Sequence, residues 1–236
     1  MRIDSEKCVG CFRCIPYCPV GAIKRSGDIA TIDQDECVEC GVCLKSGICR
    51  LGALYQPELK WPRVLRSQFS DPLAPHPSTG IGGRGTEEMK TNDVTGRFKD
   101  GEVGIAVEMG RPGIASRFSD LEKVAIALAR HGVEFETHNP VTFLLDTKTG
   151  RLKDPTIGKE RVLSAIIECK TKSEKAVEVL KELQKISKEI DTVFSLCVIN
   201  KCKEGEVPII PELEKAGFIP RINGKTNMGL GRPLRT

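Results

Sequence analysis

Apolar and polar positions alternate in two clear regimes in the second half of the chain. Residues 101–110, GEVGIAVEMG, place Val103, Ile105, Val107 and Met109 at every second position, which predicts a strand with one buried face. Residues 119–132, SDLEKVAIALARHG, switch to the helical period, with Leu121, Val124, Ala125 and Leu128 on one face. Ser119 and Glu122 are spaced as a capping box, and Gly132 supplies the stop. VEFETH reads as a strand, LLDTKTGRLKD as a hairpin or polar excursion, and RVLSAIIECKT as another strand. Thr171 and Glu174 form a second capping box, opening a helix over 173–190 whose apolar face holds Ala176, Val179, Leu183, Ile186 and Ile190. The strand TVFSLCVI ends the series. The order β-α-β-β-α-β predicts an antiparallel sheet covered on one face by two helices.

The first 56 residues follow a different pattern. MRID and IATID read as short strands, and RSGD as the turn between hairpin arms. Residues 57–100 then lose all periodicity: prolines stand at 57, 62, 72, 75 and 77, and the glycine-rich STGIGGRGTEEMKTNDVTGR follows. This predicts a strap without helix or strand, its first part pinned by packing of Trp61 and Phe69. The glycine-rich part lacks the Gly-Lys-Ser/Thr ending of a phosphate loop, and reads as a solvated loop ordered by a partner. Three regions result: a small module at 1–56, a Pro/Gly-rich linker at 57–100, and an α+β domain with a C-terminal tail at 101–236. That last region is expected to be a ferredoxin-like split βαβ sandwich, a fold name that implies no metal.

The chain has 236 residues, a formal net charge of +4, and no basic run interleaved with stacking aromatics, so nucleic acid is not an expected partner. No apolar run is long enough to cross a bilayer, and the N-terminus lacks a secretory core. A cytoplasmic protein is expected. Abundant Lys, Arg and Glu suggest a thermophile. Cysteine usage changes the picture most: eight of eleven fall within the first 49 residues. In a reducing compartment such density reads as metal ligation.

Those eight cysteines form a repeat. IDSEKCVGCFRCIPYCPVGAI from Ile3 aligns with IDQDECVECGVCLKSGICRLGAL from Ile32. Cys8, Cys11 and Cys14 are offset by about 29 residues from Cys37, Cys40 and Cys43, and Cys18 by about 31 from Cys49, so the second half carries two extra residues before its last cysteine. Zinc accepts four-cysteine sites but commonly uses two separated C-x2-C pairs, which this spacing does not resemble. The run C-x2-C-x2-C-x3-C-P with a second copy resembles bacterial two-cluster ferredoxins, in which the fourth cysteine of each run ligates the other cluster. The resemblance implies two 4Fe-4S clusters, cluster I on Cys8, Cys11, Cys14 and Cys49, and cluster II on Cys37, Cys40, Cys43 and Cys18. The longer Cys43 to Cys49 loop, and Arg50 where the first half has Pro19, depart from the pattern without removing a ligand.

The remaining candidates are sparser. VEMGRPGIASR before a helix resembles the small-molecule-binding ACT domain, although residues 113–132 are longer than that family allows. Gly110, Arg111 and Gly113 lie in a loop leading to a helix N-terminus, a place suited to an anion or amino acid. A plain connecting turn is the competing reading. MGLGRP near the C-terminus echoes MGRPG and is read as a separate surface turn. Cys169 is expected to be a buried thiol, and Cys197 and Cys202 have no fourth ligand unless His131 or His138 supplies one. The function expected is an electron-transfer protein serving an anaerobic oxidoreductase, through a redox partner or fellow subunits. The alternatives are a reductase with its own site between the domains, for sulfur or amino-acid chemistry, and a metabolite-sensing regulator; a homo-oligomer is compatible with each.

Overall fold

The computed structural model describes residues 1–78, 80, 96–110, 113–204 and 206–219. Mixed helix and sheet make it an α+β protein. The N-terminal part is built from two crossed ladders. Strand β1 (Arg2–Ile3) pairs antiparallel with β4 (Leu54–Tyr55), with Ile3 opposite Leu54; β2 (Ile23–Ser26) pairs antiparallel with β3 (Ile29–Ile32), with Ile23 opposite Ile32. By the repeat offsets Ile3 is equivalent to Ile32, and Leu54 to Ile23. Each half therefore opens on a strand that pairs with the tail of the other half. The hydrogen bonds repeat too: Asp4 N–H donates to the Ala53 carbonyl and Asp33 N–H to the Ala22 carbonyl, both at 2.8 Å. Met1, Ala22, Ile23, Ala30 and Leu54 fill the small core between the ladders.

The two-residue insertion has a clear local form. Where the first half makes a single 3-10 turn at Ile15–Tyr17, the second makes α1 (Val42–Lys45) and leaves it through Gly47 at φ 64°. A full α turn thus absorbs the extra length.

Helix α2 (Val64–Ser70) interrupts the segment that sequence pattern leaves without regular structure. Leu65 and Phe69, four apart, are buried, and Phe69 meets Phe118 edge to face at 5.4 Å. Arg66 and Ser70 share the buried side, and so polar residues mask the period over these two turns. Trp61 is half exposed, contrary to the packing expected of it. Its indole N–H donates to Asp154 at 2.9 Å, so a hydrogen bond and not burial pins this end of the strap.

Beyond residue 100 the elements are β5 (Glu102–Met109), β6 (Ser116–Arg117), α3 (Phe118–Arg130), β7 (Glu134–Phe135), β8 (Arg161–Val162), β9 (Ala165–Lys172), α4 (Ser173–Ile186), β10 (Phe194–Asn200) and α5 (Ile210–Lys215). One four-stranded sheet has the order β10-β5-β9-β7, every neighbour antiparallel. Val103, Ile105, Val107 and Met109 face Leu121, Val124, Leu128, Ala176, Val179 and Leu183 of the two helices. Full burial stabilises by roughly 1.5–3 kcal/mol per large apolar side chain, and this face is the main core.

Neither helix uses the capping box that its sequence suggests. Helix α3 begins one residue before Ser119, and Glu122 accepts from Leu152 N–H at 2.9 Å instead. Thr171 belongs to β9, paired with Val103. Backbone carbonyls of neighbouring segments satisfy the first N–H of each helix: Phe118 donates to Glu160 at 3.1 Å, and Ser173 to Gly101 at 2.9 Å. LLDTKTGRLKD does turn back on itself, joined by the Leu145 and Leu152 bridge. RVLSAIIECKT is two strands, broken at Leu163 and Ser164, because β8 pairs with β6 outside the main sheet. On the sheet's second face, buried Glu168 accepts from Asn139 at 2.6 Å, and buried Glu136 pairs with Arg97 at 2.9 Å. Among the described residues no helix is long and apolar enough to cross a membrane.

Candidate metal centre

Both cysteine loops are wound by the same unusual backbone. Gly10 and Phe12 in the first half, and Glu39 and Gly41 in the second, have φ between 55° and 71°, the left-handed region that side chains other than glycine's adopt at a cost. At Gly10 even a methyl group is excluded, since a Cβ would lie 1.9 Å from the Asp28 carbonyl oxygen. Such turns point successive peptide N–H groups and thiols of a C-x2-C-x2-C run toward one side.

The crossed ladders sort the sulfurs. The tail after Cys18 is paired with the second half and the tail after Cys49 with the first, so each fourth cysteine is carried to the other half's loop. Cys14 lies in the electrostatic field of Cys8, Cys11 and Cys49, while Cys40 and Cys43 lie in the fields of Cys18 and Cys37. The two groups are Cys8, Cys11, Cys14 with Cys49, and Cys37, Cys40, Cys43 with Cys18. Both fourth cysteines accept a backbone N–H four residues on: Ala22 to Cys18 at 3.1 Å, and Ala53 to Cys49 at 3.3 Å.

Burial and crowding disfavour the thiolate form at three of these cysteines. Burial pushes the Cys43 thiol up to about 12, with Cys40, Cys37 and Cys18 adding to the effect. Burial first and neighbouring sulfurs second also raise Cys40 and Cys14. At Cys49 burial acts upward too, but N–H groups from residues 51–54 outweigh it and lower the thiol. Thiolates crowded in this way are stable only around a cation that compensates them. Among the described residues no three His, Cys, Asp or Glu side chains converge closely enough to hold a single ion. Cys18, Cys37, Cys40 and Cys43 instead border about 300 Å³ of space, part of it open to solvent, together with Met1, Ile23 and Ile32. A polynuclear group held by four thiolates and N–H donors fits that donor set.

The two groups differ in what covers them. Cys11 is exposed, whereas Cys37, Cys40 and Cys43 are buried. Val38 and Cys40 pack with Ala115, next to Val20 and Leu163, so the loop leading into β6 lies against the second cysteine loop. Four arginines, which sequence reasoning missed, hold the backbone just before that loop. Arg66, almost fully buried, donates to the carbonyls of Gln34 at 3.0 Å, Asp35 at 2.8 Å and Cys37 at 2.7 Å, and pairs with Glu160. Arg63 binds Glu39 at 2.7 Å, Arg117 binds Asp35 at 2.6 Å, and Arg161 pairs with Glu36. Glu39 has no exposed side-chain surface and also pairs with the Met1 ammonium. Burial works against the Glu39 charge, but these two cations prevail and lower its carboxyl. The one sequence signal was the acidic excess of DQDECVE over DSEKCVG.

The other candidates are dispersed. Gly110 (φ 76°) is packed so closely that a Cβ would meet the Ala115 backbone at 2.8 Å, and Gly113 (φ 64°) lies in open space. Arg111 lies outside the described residues, as do MGLGRP and most of the glycine-rich loop. Cys169 is buried among the core residues, and desolvation pushes its thiol up to about 12. Cys197 pairs in register with Ala106 and thus sits on the opposite sheet face from Cys169, which pairs with Ile105. His131 lies 3.4 Å from Glu178.

Comparison with known proteins points the same way. The family described as a 4Fe-4S binding domain matches residues 1–23. Ferredoxin-3 of Chlorobaculum tepidum is 42% identical over 45 residues, which are 19% of this chain and 73% of that protein. Pyruvate synthase subunit PorD of Methanothermobacter marburgensis is 42% identical over 41 residues, 17% of this chain and 47% of that one. One subunit of the ion-translocating oxidoreductase complex of Methanosarcina acetivorans is 46% identical over 37 residues, 16% of this chain and 14% of that one. The chain thus spans under half the length of these last two relatives. No solved structure matches it. With most of a ferredoxin's length matched, and thiols gathered on its loops, the chain belongs through this part to the ferredoxin family of 4Fe-4S proteins.

Proposed function

We propose that residues 1–56 hold two 4Fe-4S clusters and that the protein transfers electrons to or from an oxidoreductase partner in anaerobic metabolism. Cys8, Cys11, Cys14 and Cys49 would hold cluster I, and Cys37, Cys40, Cys43 and Cys18 cluster II. When bound, such a cluster stores and releases one electron at a potential set by charge, hydrogen bonding and exposure. The chain's own residues supply the thiolates, the N–H donors of Ala22 and Ala53, and a cationic clamp beside the second set. Residues 57–100 are the strap, and residues 101–236 a ferredoxin-like α+β domain that seals one side of the module. The observation that carries the reading is the exchange of the fourth cysteine between halves, since a pair of four-sulfur groups assembled across a repeat serves no purpose in a metal-free fold.

The test is anaerobic reconstitution followed by iron and sulfide quantification and low-temperature electron paramagnetic resonance. About eight irons per chain are expected, with magnetic interaction between the reduced centres. Cys49→Ala should lose the signal of one centre while the unfolding of the second domain stays unchanged; iron content equal to wild type would remove Cys49 from the ligand set.

A second reading has one observation in its favour. The Gly110 to Ala115 loop touches the Cys40 loop through Ala115, so an anion or amino acid bound there would lie next to cluster II, as a reductase would require. Substrate turnover by the reconstituted chain with only a chemical reductant would select this reading, and turnover strictly dependent on a partner protein would select the carrier.

A further inference from the structure

We propose that the face around Cys11 is a docking surface for an acidic redox protein, so that electrons enter or leave the chain there and not beside Cys40. The inference rests on the cluster reading above and adds which of the two sets meets the partner. Of the eight N-terminal cysteines Cys11 alone is exposed. Val9, two residues before it, is 72% exposed, and Leu51, two residues after Cys49, is 55% exposed. These apolar side chains flank one four-sulfur group because Cys49 and Cys14 are electrostatic neighbours. The other group is more closed: its C-x2-C-x2-C cysteines are buried, Ala115 and Leu163 pack over Val38 and Cys40, Arg66 locks the preceding backbone, and its flanking Tyr17, Val42 and Leu44 are less exposed, at 40%, 41% and 37%.

The sign of charge names the partner class. Lys7 is neutralised by Asp4 at 3.2 Å, and Lys24 by Asp33 at 3.1 Å. That leaves Arg13, adjacent to Cys14, Arg50, adjacent to Cys49, and Arg25, whose guanidinium lies 3.8 Å over the Phe12 ring, against Glu6 and Asp28. An apolar centre with an arginine rim fits a protein face that is apolar around its redox group and carboxylate-rich at its edge. The step is a single electron: the partner's group is oxidised by one, the site held by Cys8, Cys11, Cys14 and Cys49 is reduced by one, and no bond or proton moves. Arg50 stands where the first half has Pro19, so the one-sided charge belongs to the departure from the repeat.

The experiment uses the reconstituted full chain and, as probe, an acidic flavodoxin in its fully reduced hydroquinone form, which gives up one electron and no proton on becoming the neutral semiquinone. Binding is followed by titration and electron transfer by stopped flow, each across a salt series. Arg13→Glu combined with Arg50→Glu should weaken binding and slow association about tenfold at low salt, with the difference vanishing at high salt. Photoreduction by a deazaflavin should proceed as in wild type. A control pair on α4 and in the turn just after it, Lys181→Glu with Lys188→Glu, should leave binding unchanged. Equal slowing by both pairs would overturn the proposal, because only net charge would then matter, and so would binding of the Arg13/Arg50 variant at wild-type strength. Iron and sulfide content separates this from failure of the underlying reading: a wild-type chain that takes up no iron overturns both.

Discussion

The two cysteine loops share one backbone plan and live in opposite surroundings. Positive φ recurs at equivalent positions, and the ladder hydrogen bonds from Asp4 and Asp33 have the same length. Yet the second loop is buried, and an arginine reaches the carbonyl of its first cysteine, while the first loop opens to solvent. Duplication alone would give two equal sites. The difference comes from what was added outside the repeat: the strap, with Arg63 and Arg66, and the α+β half, with Arg117 and Arg161. Internal symmetry therefore sets which atoms converge, and external contacts set how each convergence is used.

The sharpest way to break this comparison is to remove Arg66. Its guanidinium is 4% exposed and serves three carbonyls and one carboxylate. Arg66→Leu leaves buried acceptors unsatisfied and Glu160 without this partner, at a cost of about 3–5 kcal/mol. Chemical denaturation of the apoprotein is expected to show that loss. In the loaded protein the spectroscopic signature of the second set should shift more than that of the first. Equal shifts in both sets would mean that the clamp does not distinguish them.

How much of this could be read in advance follows physical lines. Long periodic runs such as β5, α3 and α4 were legible because one buried face repeats over several turns or strand residues. The repeat of the cysteine spacing was legible because three thiols on one short loop are a local pattern. Helix α2 was not, since Arg66 and Ser70 occupy its buried side. The clamp joins residues 24 to 125 apart in sequence, and no local pattern encodes such a pairing. The capping boxes at Ser119 and Thr171 misled for a related reason: distant carbonyls, invisible in a window of four residues, had already taken the helix N–H groups.

A milder perturbation acts at the other end of the strap through His76. The ring is buried against the edge of Phe69, at 5.0 Å, and its Nδ1 lies 2.6 Å from Ser78 Oγ, while its Nε2 has no hydrogen-bond partner among the described residues. Burial lowers its pKa from the ordinary 6.5, because the charged imidazolium would lose its hydration in the interior. With the folded value below the unfolded one, the unfolded chain binds more protons in acid. Stability should therefore hold above about pH 6.5 and fall below it as pH drops toward the folded value. His76→Leu should abolish that part of the pH dependence, measured as denaturation midpoints from pH 8 to 5. A midpoint that fell equally in the variant would assign the acid sensitivity to other groups.

The smallest effect tests where the two halves ought to be the same. Lys7 to Asp4 at 3.2 Å, and Lys24 to Asp33 at 3.1 Å, join equivalent aspartates to lysines that are each 59% exposed. Solvent and salt screen both pairs, so Lys7→Ala and Lys24→Ala should each change stability by no more than about 0.5 kcal/mol, and by similar amounts. Each aspartate keeps its bonds to the backbone N–H two residues on, to Glu6 at 3.0 Å and to Asp35 at 3.1 Å, so the turn geometry does not depend on the lysine. If one substitution instead cost well over 1 kcal/mol in thermal denaturation at moderate salt, the asymmetry would reach beyond the covered surface into the repeat's own turns. The clamp and the seal would then no longer suffice to explain why the two cysteine sets differ.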